Sequence, residues 1–535
     1  MKGFTQLSVS EWFYRNRYIA GFSNPARSLY QSVRELVENS LDACEAAGTL
    51  PYITVDLKLI GEKKTPKVYK LTVSDNGIGI PPEYVPQAFC TVLFGSKFEL
   101  KQQRGLFGLG VKMAVLYGQI TTYKPIEVTT CYDGKNEYTF VLQMDLKNNQ
   151  PIVLSSTVRK LEKPRRGTTV TIYLVGDYDR RLGSRTTGDL IKEYLKLTTI
   201  ANPHATIVFS DPYNNVYKFE RSVNKLPPPP KETAPHPHGV DAEMLKRMIE
   251  SSKNTTLQAF LANNFDRVGP KKALDFLQWA GFDPNRDVKE LTNDEIVKLA
   301  DALRTYDKFL PPSPNVLSPI GAEELKAAIV KLFSPEFVKT VTRPPRSYSG
   351  YPFQVEAGIA YGGSIIENMC KEEGNYKLLF RFANKIPLLF DERGDVCRKV
   401  VESINWKQYR VDDTTPIAIF VHVCSTRVPY KTAGKEMIAD VEEIEDEIRN
   451  ALMECAKDLR RYLYRKMKLI KEQERLNLFK AYITEIAEDI VRVINEDKQK
   501  LMELMWKVVV SKRVKSKRRS KRRKRVDSRE DSRAA

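Results

Sequence analysis

Residues 225–238, KLPPPPKETAPHPH, hold six prolines in 14 positions. Proline fixes φ and has no amide to donate, so no helix or central strand passes through such a run. The chain must therefore fold as separate blocks on either side of an extended joint. A second break, Phe309–Pro319 (FLPPSPNVLSP), sets off a middle block dominated by helical patterns. Before the first break and after the second, helix and strand patterns mix. The C-terminal end is the opposite case. Pro429 is the last proline and Gly434 the last glycine, so the final 101 residues contain no helix breaker. Within them Ile438, Val441, Ile444, Ile448, Leu452, Cys455 and Leu459 recur three and four apart, the apolar stripe of an amphipathic helix.

At roughly 100–200 residues per domain, a chain of 535 residues makes about three or four domains. With 42% hydrophobic and 29% charged residues it has material for real cores, and wholesale disorder is excluded. No run of about 18 apolar residues occurs, so no membrane span is expected. The stretch MKGFTQLSVSEWFYRNRY lacks an apolar core, so no secretory signal is expected either. Cysteines 44, 90, 131, 370, 397, 424 and 455 lie far apart without a CxxC pair. That pattern speaks for buried reduced thiols in a cytoplasmic protein, against a disulfide scaffold or zinc ribbon. The net charge is +19. Residues 511–525, SKRVKSKRRSKRRKR, carry 11 basic and no acidic side chains. The last ten residues carry net −1, which leaves +9 on residues 1–510. A block as basic as 511–525 stays extended and suits polyanions, nucleic acid above all. A solubilising tail is the plainer alternative.

The middle block reads as a small helical module. Residues 241–251 and 256–265 are helix-like, Gly269-Pro270 opens the run KKALDFLQWAG, and Thr292 with Glu295 forms a capping box.

Three segments carry chemistry. In 24–46, Asn24-Pro25 starts a helix and Gly48 follows its end. Glu35, Asn39 and Asp42 fall at i, i+4 and i+7, on one stripe. There a carboxylate can take a proton from water, and the Asn39 oxygen can complete the shell of a hydrated Mg²⁺. Next, the alternating strand 68–74 runs into Asp75-Asn-Gly77-Ile-Gly79-Ile80. Asp75 can accept from an exocyclic amine, and the two glycines admit a flat ligand against the backbone. Third, Arg104-Gly-Leu-Phe-Gly-Leu-Gly-Val-Lys112 places Gly105, Gly108 and Gly110 before a helix, where successive amides can face one anion. It is not a Walker A loop, since the GK[ST] ending is missing. Taken singly, each admits a plain alternative: a solvated helix face, an ordinary turn, a glycine-rich loop.

Together and in this order, ELVENSLDA, DNGIGI and RGLFGLGVK resemble the N, G1 and G2 boxes of the GHKL ATPases. These include gyrase B-type subunits, MutL, heat-shock chaperones of the Hsp-ninety kind and sensor histidine kinases. Gly167-Thr168-Thr169 opens a strand at the place of the last box. The resemblance implies ATP and Mg²⁺ as cofactors. It casts Glu35 as general base, Asn39 as Mg²⁺ ligand and Asp75 as adenine reader, with Gly77, Gly79 and Thr168 in the nucleotide site. Gly105, Leu106, Phe107, Gly108, Leu109, Gly110, Val111 and Lys112 become a phosphate-covering lid. Ser96 and Lys97 in FGSKF become a further nucleotide contact. A histidine kinase is disfavoured, since the first histidine is His204.

Farther along, PHPHGVD, VEAGIAYGGS, RFANKIPLLFD, Trp406-Lys-Gln-Tyr409 and HVCSTRVPYKTAGKE follow in order. They resemble the B subunits of archaeal DNA topoisomerase VI, from about residue 1 to about 470. The fold implied is a multidomain α+β chain. Its parts are an N-terminal strap (1–20), a GHKL (Bergerat) α/β sandwich (21–228) and a helix–two-turns–helix insert (229–308). A transducer with a left-handed βαβ crossover (309–470), a C-terminal helical region (471–510) and a basic tail (511–535) follow. Lys435 in TAGKE becomes the transducer lysine that reaches the γ-phosphate. The implied activity is that of a type IIB topoisomerase ATPase subunit relaxing positive and negative supercoils. Two copies pair through their ATPase domains on binding ATP, closing a gate on a second duplex. A partner A subunit cleaves DNA, in an A2B2 heterotetramer, and the expected place is the cytoplasm, at the nucleoid. Lys163-Pro-Arg165-Arg166 is a basic loop suited to DNA phosphate. A MutL-like repair clamp and a GHKL chaperone are the alternatives.

Overall fold

The starts of the first two α-helices follow from their caps. Ser8 Oγ accepts from Glu11 N (3.2 Å), which starts α1 (Val9–Arg15). Asn24 accepts from Arg27 N (3.0 Å) with Pro25 at the first helical position, which starts α2 (Pro25–Ala46). This computed structural model describes residues 7–509 apart from 62–65, 96–100, 106–107, 254, 314–315, 367–376, 433 and 495–496. Ser96, Lys97, Leu106, Phe107, Cys370 and the basic tail lie outside the described residues. The chain divides into two compact units, Met1–Leu459 and Arg460–Ala535.

In the first unit an eight-stranded sheet has the order β10-β9-β1-β2-β6-β3-β4-β5. Its strands are β1 (Tyr52–Ile60), β2 (Val68–Ser74), β3 (Ile126–Cys131), β4 (Asn136–Asp145), β5 (Gln150–Lys160), β6 (Gly167–Val175), β9 (Thr206–Ser210) and β10 (Val216–Phe219). The hairpin β7 (Arg181–Leu182) and β8 (Arg185–Thr186) stands apart from it. In this sheet, among the described residues, β1 and β9 pair in parallel and the other neighbours antiparallel. On β2, buried Tyr69, Leu71 and Val73 alternate with half-buried residues, as expected of a strand with one face to the core. Helix α2 lies across β1, β2 and β6, flanked by α4 (Gly110–Thr122) and α5 (Thr187–Ala201), with α3 (Val85–Cys90) beside β4 and β5. Its buried Leu29, Val33, Leu36, Val37 and Leu41 join the sheet residues in one core. Each such side chain contributes roughly 1.5–3 kcal/mol on burial.

The middle block is the helical module its sequence predicts: α6 (Ala242–Ser251), α7 (Leu257–Asn264), α8 (Pro270–Ala280) and α9 (Asn293–Thr305). Thr292 and Glu295 cap α9 reciprocally. Phe260, Phe276, Leu277, Leu299 and Tyr306 form its own core. The proline joint is fastened to it through His236 Nε2 at Leu310 O (2.9 Å) and His238 Nε2 at Tyr306 O (2.8 Å).

The third block begins with α10 (Ala322–Phe333) and a six-stranded sheet of order β11-β13-β16-β14-β15, with β12 on β13. The strands are β11 (Phe337–Thr342), β12 (Arg346–Tyr348), β13 (Tyr351–Tyr361), β14 (Lys377–Ala383), β15 (Ile386–Pro387) and β16 (Ile417–Ser425). Strands β14 and β16 pair in parallel, and the helix Val396–Ser403 lies in the crossover between them. Strand β16 is buried along its whole length, as a strand covered on both faces must be. Asn384 (φ 46°) and Lys385 (φ 64°) form the two-residue tip joining β14 and β15. Such a left-handed pair favours Asn-Gly, and a lysine in the second place costs roughly 1 kcal/mol against glycine. The breaker-free end is helical from Glu442 to Ile494. In the first unit this helix buries Ile444, Ile448, Leu452, Cys455 and Leu459, and Cys455 Sγ lies 3.8 Å from Ala357 O. In the second unit residues 498–509 form a further helical stretch, and Lys480 Nζ lies 5.4 Å from the ring centroid of Trp506.

Candidate functional site

The end of β2 and one face of α2 frame a cavity of about 600 Å³, within the range of small-molecule sites. Its walls include Val73, Ile78, Ile80 and Val170. Registry fixes the polar end: Ser74 pairs with Thr169, so Asp75 leaves the sheet beside Thr168. Asp75 Oδ1 accepts from Gly77 N (2.9 Å) and Thr168 N (3.1 Å), and Ser40 Oγ donates to Oδ2 (3.0 Å). Burial raises the Asp75 carboxyl above its ordinary value, and these three donors oppose the rise without cancelling it. Gly77 stands where α2 crosses; a Cβ there would lie 2.7 Å from the Ala43 carbonyl carbon.

One helical turn away, Glu35 is 7% exposed. Gln31 Nε2 donates to Glu35 Oε1 (2.8 Å), and Asn39 Nδ2 donates to the Glu35 backbone oxygen (2.8 Å). Burial pushes the Glu35 carboxyl up, and nearby Glu38 adds to that; Lys435, Arg34 and the Gln31 bond pull the other way. Gly110 opens α4 directly against this carboxylate, and a Cβ on it would fall 1.6 Å from Glu35 Oε2.

Lys435 enters from the third block. Its backbone is left-handed (φ 54°), and Nζ donates to Arg104 O (3.0 Å) with Glu38 Oε2 at 3.7 Å. Fully buried Arg34 holds this loop: Nε donates to Glu38 Oε1 (2.7 Å) and Nη1 to Gly434 O (3.1 Å). Arg27 pairs with Glu436.

Glu35, Asn39, Asp75, Gly79, Gly105, Gly108, Leu109, Gly110, Val111, Lys112, Thr168 and Lys435 all line this one cavity. Gly77 lies behind it. Lys112 is 4% exposed and donates Nζ to Phe94 O (2.6 Å). Lys163, Arg165 and Arg166 lie elsewhere, in the exposed loop between β5 and β6, with Arg165 paired to Glu137. The sequence reading missed the anchor of the glycine-rich segment. Arg104 is buried and donates to Asp42, to Glu45 Oε1 (2.6 Å) and to Asn202 Oδ1 (2.6 Å). Asp42, on the Glu35 stripe, serves this anchor. An arginine directly before the first glycine, with two acids three residues apart on α2, was the available signal.

Residues 24–176 match the family described as histidine kinase-, DNA gyrase B- and HSP90-like ATPase, and residues 312–475 match the topoisomerase VI B subunit transducer family. The B subunit of type 2 DNA topoisomerase 6 from Metallosphaera sedula is 46% identical over 93% of this chain and 92% of its own length. Its counterparts from Sulfurisphaera tokodaii and Saccharolobus islandicus are 45% and 44% identical over the same shares. Among solved structures, the ATPase region of Saccharomyces cerevisiae topoisomerase II aligns at TM-score 0.42 and 10% identity, over 86% of this chain and 98% of that one, too low to bear on the assignment. The first block is thus a GHKL-type ATPase fold and the third a topoisomerase VI B transducer, which sets aside the repair-clamp and chaperone alternatives. With 46% identity spread over nearly all of both chains, the protein belongs to the family of type 2 DNA topoisomerase 6 B subunits.

Proposed function

We propose that this chain is the ATP-binding and ATP-hydrolysing subunit of a type IIB DNA topoisomerase, which uses nucleotide to drive one duplex through a break in another. The observation that carries the reading is the convergence of Glu35, Asn39, Asp75, the glycine-rich segment and Lys435 on one cavity. Asp75, held by Ser40 and two amides, reads the adenine amine. The amides at the start of α4 face the phosphates, where the helix dipole favours negative charge. Glu35 takes the proton of the attacking water, and Gln31 holds its other oxygen in register. Burial that raises its proton affinity suits it to that task. Lys435 supplies a compact positive charge for the γ-phosphate, so that transducer position follows nucleotide state.

The residues suit Mg²⁺ carried in with the triphosphate. No cluster of three or more acidic, histidine or cysteine side chains stands ready for a metal among the described residues. Asn39 gives its amide nitrogen to Glu35 O, which turns the carboxamide oxygen into the hard donor. When bound, Mg²⁺ would neutralise phosphate charge.

The domain division read from the sequence is proposed with this function. So are ATP-dependent self-pairing, a cleaving A subunit in an A2B2 assembly, contact of Lys163, Arg165 and Arg166 with double-stranded DNA, and action on both signs of supercoil at the nucleoid in the cytoplasm. Among the described residues no helix is long and apolar enough to cross a membrane. Glu35→Ala is the direct test. It should keep ATP binding while cutting turnover by about 10²–10⁴-fold, the range for a lost general base; unchanged turnover refutes the assignment.

A further inference from the structure

Lys435 is not the only side chain of the third block that reaches the root of the glycine-rich segment. Three successive residues there are each bound by a different stretch of it. Gln102 and Ser318 exchange two bonds, Gln102 Nε2 donating to Ser318 O (3.0 Å) and Ser318 N to Gln102 Oε1 (2.7 Å). Asn384 Nδ2 donates to Gln103 O (2.9 Å), and Lys435 Nζ to Arg104 O (3.0 Å). Next to Asn384, Lys385 is only 3% exposed. Its Nζ donates to Ser318 Oγ (2.8 Å) and lies 4.0 Å from Glu45 Oε1, the carboxylate that clasps Arg104. Glycine would fit the turn with less strain, so the turn does not account for the lysine; its side-chain contacts do.

The backbone of the same residue leads the other way. Lys385 N donates to His422 Nε2 (3.0 Å), so the imidazole carries its proton on Nδ1 and donates it to Glu356 Oε2 (2.8 Å). Glu356, fully buried, also accepts from Thr342 Oγ1 (2.7 Å), Ile320 N (2.7 Å) and Gly321 N (2.8 Å). Those two amides belong to the N-cap of α10, Gly321, and to the residue before it. A continuous chain of bonds therefore joins the segment beside the nucleotide cavity to the N-cap of a transducer helix.

We propose that the tip Asn384–Lys385 is a second finger of the transducer, a pair of positioning residues that grips the root of the glycine-rich segment and passes its state to α10. The inference rests on the ATP-site reading given above. Its partner on the ATPase side is the Gln102–Arg104 segment together with Glu45. Neither Asn384 nor Lys385 lines the nucleotide cavity, so neither contacts ATP.

The test uses the full-length chain as wild type, Lys385→Gly, Lys385→Arg, Ser318→Ala and Glu35→Ala. Lys385→Gly suits the turn, and the melting temperature reports whether the fold is kept; Ser318→Ala is the milder second variant. Affinity for a non-hydrolysable ATP analogue, steady-state ATP turnover, melting temperature and amide exchange across residues 320–333 with and without the analogue are measured. Lys385→Gly should bind the analogue within about twofold of wild type, turn over about tenfold more slowly and lose the analogue-induced change in exchange at 320–333. Ser318→Ala should shift turnover and exchange in the same direction by less, and Lys385→Arg should restore most of both. Glu35→Ala should keep the exchange change without turnover. If Lys385→Gly lowers the melting temperature but keeps wild-type turnover and the full exchange change, the finger is mere packing and the proposal falls, with the ATP site intact. If wild type and Glu35→Ala alike fail to bind the analogue, the ATP-site reading fails and takes the proposal with it.

Discussion

Gly110→Ala separates the position of a carboxylate from the stability of the fold. Gly110 is the first residue of α4 and is not among the left-handed glycines, so alanine suits its backbone. In a helix the change is worth up to about 1 kcal/mol in favour of alanine. Yet the new methyl carbon would fall 1.6 Å from Glu35 Oε2. Non-bonded carbon and oxygen keep about 3.3 Å, so the carboxylate must withdraw by about 1.7 Å. It is the end of a flexible side chain and can do so without unfolding α2. A misplacement of about 1 Å costs on the order of 10²-fold in rate. Gly110→Ala should therefore lose roughly 10²-fold in ATP turnover with a melting temperature at or slightly above wild type. The assay is a double-mutant cycle on turnover with Glu35→Ala. If the loss runs through Glu35, adding Gly110→Ala to Glu35→Ala lowers turnover no further. Turnover of Gly110→Ala within threefold of wild type, or full additivity with Glu35→Ala, would refute the reasoning.

Two further outcomes are expected. Burial acts to raise the Glu45 carboxyl, but Arg104, Lys385 and His204 hold it well below the usual carboxylate range. Because its folded value is depressed, Glu45 adds stability above its unfolded pKa of about 4.3, lost as pH falls through the folded value. Glu45→Gln should flatten the fall of melting temperature with acid, and an unchanged pH profile would sink that account. In the loop before β6, replacing Lys163, Arg165 and Arg166 together by alanine should reduce the salt slope of duplex binding by about 3, near 0.9 per phosphate contact. A variant with the wild-type slope and full DNA-stimulated turnover would remove the loop from the DNA interface.

What the sequence announced was local. Asn24-Pro25 and Gly48 bracket α2 because a cap and a left-handed exit are written in neighbouring residues. The reciprocal cap of Thr292 and Glu295 and the stripe from Ile444 to Leu459 are likewise short-range patterns. The stripe of Glu35 and Asn39 pointed to one helix face, and both residues line the cavity. What stayed hidden is long-range. Arg104 meets Glu45, 59 residues away, and Lys435 meets Arg104 across 331. No spacing rule links such partners; only the packing of sheet, helix and transducer brings them together. The strained Asn384–Lys385 tip was equally silent: RFANKIPLLFD carried the family resemblance without saying that its lysine is buried.

Among the described residues the large sheet ends on β5, with no strand paired to its outer side. Ile152, Val153, Leu154 and Val158 stand exposed along it. A bare apolar rim of this kind is a template on which another extended chain can crystallise its own amides, so concentrated protein is expected to self-associate there first. Arg159, paired to Glu137 at 2.8 Å, and Lys160 stand exposed at the far end of the strand and end its apolar run with charge.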